Sequence, residues 1–330
     1  NLEQFLPEKE ETVELAPSPP DLFKFYKRVE VKNLGALEDD DLLIRLSDCG
    51  QVLCIVNTRR HASGLFEGLP GEGNFHLSTL MCPAHRKEKL NEIRNRLING
   101  QSCHVVSTSV IEAGIDIDFP VGYRAIAGLD SINQAAGRIN REMKHDLGDL
   151  FIFEPKSKYI KKYPGYIGQA IEVTRMVLRS FPNAPISIPA IEEYFRKLYD
   201  LQDPNISFDY KRIMKCFEDE NGRYEFEKAA HLFKIIEEVT KTVIIPYNDK
   251  AMGLLKELRT TLNPVSTLRK LQPFTVSIYE NEFNRLSLKG ALITIADKYD
   301  VLNPQSMKEF YSPHRGLLVP ANVEGEGLFF

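Results

Sequence analysis

The chain has 330 residues, with 42 Lys+Arg against 46 Asp+Glu, a formal net charge of −4. Hydrophobic residues at 43% and charged residues at 27% describe a soluble globular protein with an ample core, and the length suggests two domains. So balanced a charge excludes a wholly basic nucleic-acid coat but leaves room for a local groove. No window approaches the ~18 apolar residues that span a bilayer, so no membrane association is expected. The start, Asn1-Leu2-Glu3-Gln4, has no basic n-region and no apolar h-region, and it lacks Met, as a fragment or processed chain would. Five cysteines, odd in number and without C-x-x-C spacing, indicate neither zinc nor a disulfide framework. A reducing, cytoplasmic setting follows.

Residues 1–20 are acidic and then Pro-rich, and read as a linker. Residues 25–31 are apolar and aromatic enough for a strand. Residues 39–46 then suit a helix with acids at its N-terminal end. From Val52 the alternation becomes regular. Residues 52–56 are an unbroken apolar run, the pattern of a strand buried on both faces. A helix over 59–66, a strand over 75–78 and a helix over 83–98 follow, the last with Pro83 near its start and Asn99-Gly100 as its stop. Strands over 104–106, 124–127 and 150–153 flank a helix over 131–143. Such alternation predicts an α/β fold, a doubly wound parallel sheet covered on both faces. After Pro155 helical periodicity dominates at 168–178, 188–198 and 226–240, with strand-like runs at 243–246, 274–279 and 317–320. We divide the chain into the linker, a sheet domain over 21–155, a helical connector over 156–215, and a smaller mixed, helix-rich domain over 216–330.

The most informative stretch is Gln134-Ala-Ala-Gly-Arg138-Ile-Asn-Arg141. On a helix, positions i, i+4 and i+7 share one face, so Gln134, Arg138 and Arg141 would point together. Two guanidiniums and an amide suit a polyphosphate, and Ala135, Ala136 and Gly137 keep that helix slim. The run Val105-Val-Ser107-Thr-Ser-Val-Ile-Glu-Ala-Gly114-Ile-Asp116-Ile-Asp118-Phe-Pro120 begins as a buried strand and ends in a polar turn, where ligands of doubly wound sheets bind. Ser107, Thr108 and Ser109 would offer hydroxyls and main-chain N–H groups to phosphate. Gly114 would let backbone approach a ligand, and Asp116 could accept from a ribose hydroxyl or orient an arginine. Asp118 reads as a structural turn acid. Asn57-Thr58-Arg59 and Ser78-Thr79 stand at the ends of two further strands, a rail for a nucleic-acid backbone that His76, His85 and Arg86 could join. The run Lys156-Ser-Lys158-Tyr159-Ile-Lys161-Lys162-Tyr163 interleaves cations with aromatics, as DNA-contacting or solvated segments do.

In this order, and with Cys82-Pro-Ala-His85-Arg86 between them, these motifs resemble the second RecA-like domain of superfamily 2 helicases. Glu112-Ala-Gly-Ile-Asp116-Ile-Asp118-Phe and the Cys82 stretch look most like the CRISPR-associated type I helicase–nuclease, the enzyme that a crRNA-guided Cascade complex recruits to degrade DNA. The resemblance is strong over about 52–155. It weakens to a helical connector and to Gln272-Pro-Phe-Thr-Val-Ser, which looks like that family's accessory C-terminal domain. It implies that Arg138 and Arg141 form the catalytic arginine-finger face, with Gln134, Gly114 and Asp116 beside the nucleotide. Asn57, Thr58, Arg59, Ser78, Thr79, Ser107 and Thr108 would lie along single-stranded DNA.

The departures count as much. No G-x-x-x-x-G-K-[ST] loop occurs. Glu38-Asp39-Asp40-Asp41 follows no apolar strand and reads as a charged helix start, and His145-Asp146 as a loop pair rather than metal ligands. The resemblance therefore implies ATP and Mg2+ bound mainly by an N-terminal helicase/nuclease half that is absent here, and a chain inactive by itself. Two alternatives stay open: another superfamily 2 DNA or RNA helicase, and a non-catalytic DNA- or protein-binding module.

Overall fold

The computed structural model describes residues 15–112, 114–159, 163, 165–199, 211–217, 223–233 and 240–320. Residues 1–14 of the expected linker, Lys161 and Lys162 of the basic run, and 234–239 of the expected 226–240 helix lie outside them.

The chain opens on α1 (Pro19–Phe25), where the fixed φ of proline suits the first helical turn, and continues into β1 (Val29–Glu38). The strand expected over 25–31 thus starts later and runs longer. At its centre Gly35, at φ +69°, accompanies a shift of register against the neighbouring strand. α2 (Asp39–Ser47) carries Asp39, Asp40 and Asp41 in its first turn. β2 (Gln51–Ile55), α3 (Arg59–Gly68), β3 (Asn74–Leu77), α4 (Pro83–Ile98), β4 (Cys103–Ser107), β5 (Val121–Ala125), α5 (Leu129–Ala136) and β6 (Gly148–Lys156) complete the alternation. Thr58 caps α3 by accepting the His61 N–H, and Gly100 at φ +65° follows the end of α4.

β1 to β6 form one parallel sheet in the order β1-β6-β5-β2-β4-β3. Because side chains alternate along a strand, each face builds its own core. Val52, Cys54, Val56, Val106, Tyr123 and Phe153 pack against Leu42 and Leu46 of α2 and Ala62 and Leu65 of α3. Leu53, Ile55, Leu77, Val105 and Ile152 face Ile93 of α4 and Ile132 of α5. The same cluster takes in α6 (Gly165–Ser180) through Ile171 and α7 (Ile188–Tyr199) through Tyr194. This is the doubly wound α/β, RecA-like arrangement.

One element departs from its pattern. The helix expected over 131–143 stops at Ala136, because residues 138–140 turn back to pair with Phe119. The Phe119 N–H donates to the Arg138 carbonyl at 3.1 Å and the Asn140 N–H to the Phe119 carbonyl at 2.8 Å. Asn140 takes φ +44°, and buried Ile139 lies against Gly122 and Gly148, where a Cβ would stand 2.6 and 2.7 Å from its side-chain atoms. A backbone bridge and close packing thus override the helical pattern.

Beyond α8 (Phe226–Leu232), a smaller mixed sheet is built from β7 (Thr240–Ile244), β8 (Thr275–Tyr279), β9 (Leu292–Ile295) and β10 (Tyr299–Leu302), in the order β8-β7-β10-β9. α9 (Asp249–Thr260) and α10 (Pro264–Leu271) cover one face through Leu254, Leu255, Leu258 and Leu271. On the other face, Leu286 of α11 (Glu280–Leu288) packs with Val243, Ile278 and, from the first sheet's side, Cys82. After α12 (Met307–Phe310), a short hairpin of β11 (Tyr311–Ser312) and β12 (Gly316–Leu317) closes that cluster. The strand expected over 317–320 is only its second arm. Among the described residues no helix is long and apolar enough to cross a membrane.

Candidate functional site

Parallel sheets expose the carboxyl ends of their strands to ligands, and the chemistry-bearing segments gather at these ends. After β4 the backbone turns through Ser109–Ile111 and Glu112 to Gly114, which has φ +70° and open space where a Cβ would stand. Glycine is therefore required here by backbone conformation rather than by close packing.

Arg138 and Arg141 lie beyond α5, so the shared helix face expected for Gln134, Arg138 and Arg141 does not form. The turn still brings both arginines to the 112–118 segment. Arg138 donates from Nη2 to the Glu112 carbonyl, and Arg141 Nη1 lies 3.1 Å from Asp116 Oδ1. The Arg141 N–H donates to Asp118 Oδ1 at 2.7 Å, with Lys144 Nζ 3.8 Å from Oδ2, so Asp118 shapes the turn. Burial, and next the neighbouring Arg141 charge, lower the Arg138 guanidinium from its ordinary value. Two cations so close suit an anion between or before them. Gln134, exposed on α5, makes no side-chain hydrogen bond to this cluster among the described residues.

The rail at the ends of β2, β3 and β4 is more inward than the sequence implies. Ser107 is buried and donates from Oγ to the Thr108 carbonyl at 2.7 Å, and buried Ser78 accepts the Leu80 N–H at 3.3 Å. Thr108 is also buried, and the Thr58 oxygen caps α3, so among the hydroxyls expected along DNA only Thr79 stands exposed. Asn57 donates to the Ile126 carbonyl at 2.7 Å. Arg59 is drawn away from the rail to Glu282, its Nη2 lying 2.8 Å from Oε1.

His76 and His85 turn inward rather than toward the rail. His76 is 3% exposed, neither ring nitrogen has a hydrogen-bond partner, and burial lowers its pKa to about 4. His85 bonds Tyr311 Oη through Nδ1 and the Pro313 carbonyl through Nε2, both at 3.0 Å. Arg86 Nη1 lies 3.5 Å from the Ser78 carbonyl. The His145 N–H and carbonyl both bond the Asn140 side chain, which pins the loop. Among the described residues no group of three or more His, Cys, Asp or Glu could hold a metal ion.

Sequence reading missed Arg124, wholly buried in β5 with its Nε 3.0 Å from Glu112 Oε1. The signal was a lone cation inside a parallel strand, where both faces demand apolar side chains.

The sheet order is that of a RecA-like α/β domain. Residues 48–144 match the family described as CRISPR-associated nuclease/helicase Cas3, C-terminal. The Cas3 nuclease/helicase of Methanothermobacter thermautotrophicus is 27% identical over 158 residues, which cover 45% of this chain and 19% of that protein. The solved structure of T. fusca Cas3 with AMPPNP has TM-score 0.57 at 15% identity, over 93% of this chain and 43% of that one. A second solved CRISPR-associated protein gives TM-score 0.56 at 15% identity, over 94% of this chain and 42% of its own. Residues 48–144 are therefore similar to the C-terminal part of Cas3, and the fold of the chain resembles that of the two solved structures. It spans less than half of either solved structure and about a fifth of the curated relative.

Proposed function

We propose that this chain supplies one side of an ATP-hydrolysing, single-stranded-DNA-translocating machine of the Cas3 type. The observation that carries the reading is the turn after α5, which sets Arg138 against Glu112 and Arg141 against Asp116 at the sheet's carboxyl edge. ATP, the substrate, would meet these guanidiniums with its phosphates. Their fixed positive charge would stabilise the charge that develops during transfer, and Asp116 would orient Arg141 or accept a ribose hydroxyl. Gln134 would join by a shift of α5 or contact a neighbouring domain. The relatives crystallised with AMPPNP, ATP and ADP support a nucleotide here.

Single-stranded DNA would pass over the ends of β2, β3 and β4. With Ser78, Ser107 and Thr58 engaged internally, phosphates would be held by exposed Thr79 and by main-chain N–H groups, while Asn57 and Thr108 shape the turns. Lys156 and Lys158 would extend the positive path. Residues 21–155 would act as the second RecA-like domain, 156–215 as connector and 216–330 as the accessory domain. A phosphate-loop and nuclease half would hold Mg2+ and most of the ATP, and a crRNA-guided Cascade complex would deliver the DNA.

The test combines purified chain with a phosphate-loop half from the same protein and measures ATP hydrolysis with and without single-stranded DNA. Negligible turnover by the chain alone and DNA-stimulated turnover by the combination are expected. DNA binding that persists without turnover in the combination would favour a non-catalytic module.

A further inference from the structure

Arg124 touches three segments of the site from one buried position. Its Nη1 donates to Asn57 Oδ1 at 2.6 Å and to the Ala125 carbonyl at 2.8 Å, while Nε lies 3.0 Å from the Glu112 carboxylate. Glu112 is itself 6% exposed, and its backbone carbonyl receives the Arg138 guanidinium. Asn57 stands next to Thr58, whose hydroxyl starts α3. One chain of contacts therefore runs Thr58–Asn57–Arg124–Glu112–Arg138. Burial raises the Glu112 carboxyl and lowers the Arg124 guanidinium from their ordinary values, and the charge of each opposes the shift of the other.

Stability gives no reason for this pair. Replacing a buried ion pair by apolar groups of similar volume is often neutral or stabilising, whereas removing one partner strands the other. What the pair supplies is direction. The guanidinium plane is fixed by its hydrogen bond to the Asn57 amide oxygen and sets its charge 3.0 Å from the Glu112 carboxylate as an ion pair without an aligned hydrogen bond, and an ammonium has no such plane.

We propose that Arg124 is a positioning residue that links the nucleotide-facing Arg138 to the DNA-facing turn at Asn57–Thr58, so that DNA on one side sets the arginine geometry on the other. The proposal rests on the helicase reading above. Arg124 meets neither ligand; it acts through Glu112 and Asn57.

The test uses the protein that carries this chain together with its phosphate-loop half, and compares wild type, Arg124→Lys and the neutral pair Arg124→Gln/Glu112→Gln. The quantity read is the ratio of ATP hydrolysis at saturating single-stranded DNA to hydrolysis without DNA, beside DNA affinity and melting temperature. Coupling between sites typically changes affinities by 5–150-fold, so the ratio should fall roughly tenfold in both variants, with DNA affinity within about threefold of wild type. A wild-type ratio in either variant overturns the proposal and leaves the helicase reading intact. Loss of fold in both variants shows a purely structural pair and also overturns it. Absence of DNA-stimulated hydrolysis in the wild type overturns the helicase reading, and the link with it.

Discussion

Arg59 and Glu282 meet across the two sheets. Arg59 Nη2 is 2.8 Å from Glu282 Oε1, and its guanidinium lies over the Tyr279 ring at 5.0 Å. The other Glu282 oxygen accepts the Tyr279 N–H at 3.0 Å, at the start of α11. A residue expected on the DNA rail thus fastens the smaller sheet to the larger. Beside it Arg315 reaches Glu67 and Ser63 on α3, and Tyr247 reaches Glu88 on α4.

Glu282→Ala should therefore cost about 2 kcal/mol, since it removes a half-buried ion pair and a helix-start acceptor together. That corresponds to a fall in melting temperature of roughly 3 °C in a protein of this size. Glu282→Gln keeps an oxygen for the Tyr279 N–H and should cost less than half as much. Thermal melting of both variants beside wild type checks the order, and equal losses would mean that the charge alone matters.

Arg138→Ala and Arg141→Ala, in the protein completed by its phosphate-loop half, should each abolish DNA-dependent ATP hydrolysis. Arginine fingers contribute about 10³–10⁵ in rate. Lysine should rescue neither, because a point charge lacks the planar fork. Arg141 is exposed and paired with Asp116, so its loss should leave melting within about 1 kcal/mol of wild type. Arg138 holds the Glu112 carbonyl, so its loss should cost more. Steady-state ATPase rates and melting curves on the same preparations separate the two effects. Activity within a fewfold of wild type would remove both from the nucleotide site.

His76 predicts an acid-sensitive step. It lies buried against Phe66, at 5.9 Å between rings, with the charges of Arg315 and His85 nearby. Its folded pKa of about 4 lies below the 6.5 of a free imidazole. Above pH 6.5 both states are neutral and nothing is lost. As pH falls from 6.5 towards 4 the unfolded chain binds a proton that the folded one refuses, so stability drops. Between pH 7 and pH 5 the loss should be about 2 kcal/mol. Denaturant melts of wild type and His76→Phe at both values check this, the variant being expected to lose that much less.

Gly316 stands at φ +79°, and a Cβ there would sit 2.4 Å from the Leu80 carbonyl oxygen. Backbone rather than a flexible side chain would have to move. Gly316→Ala should cost more than about 1 kcal/mol, and it should loosen the Ser78–Thr79 turn through the adjoining Leu80. Hydrogen exchange at the Leu317 N–H, which donates to Leu80 at 2.8 Å, reads the effect locally. Unchanged protection there would show that the hairpin adapts.

The residues of β2, β4 and β6 announced the sheet by themselves. A parallel strand covered on both faces must be apolar along its whole length, and that pattern is local. Proline at the start of α4 and Asn99-Gly100 at its end set a helix from neighbouring residues alone. The presence of the Arg138 and Arg141 charges was equally legible, whatever backbone carries them. Where those arginines point was decided elsewhere. Phe119, nineteen places before Arg138, pairs with the 138–140 turn and ends the helix that periodicity continued. The commitments of Arg59 to Glu282, of His85 to Tyr311 and of Arg124 to Glu112 likewise join residues distant in the chain. Local sequence determined which elements form and which charges are present. Only tertiary packing decided which polar groups were spent internally, because a buried donor or carboxylate must find its partner wherever the fold brings one.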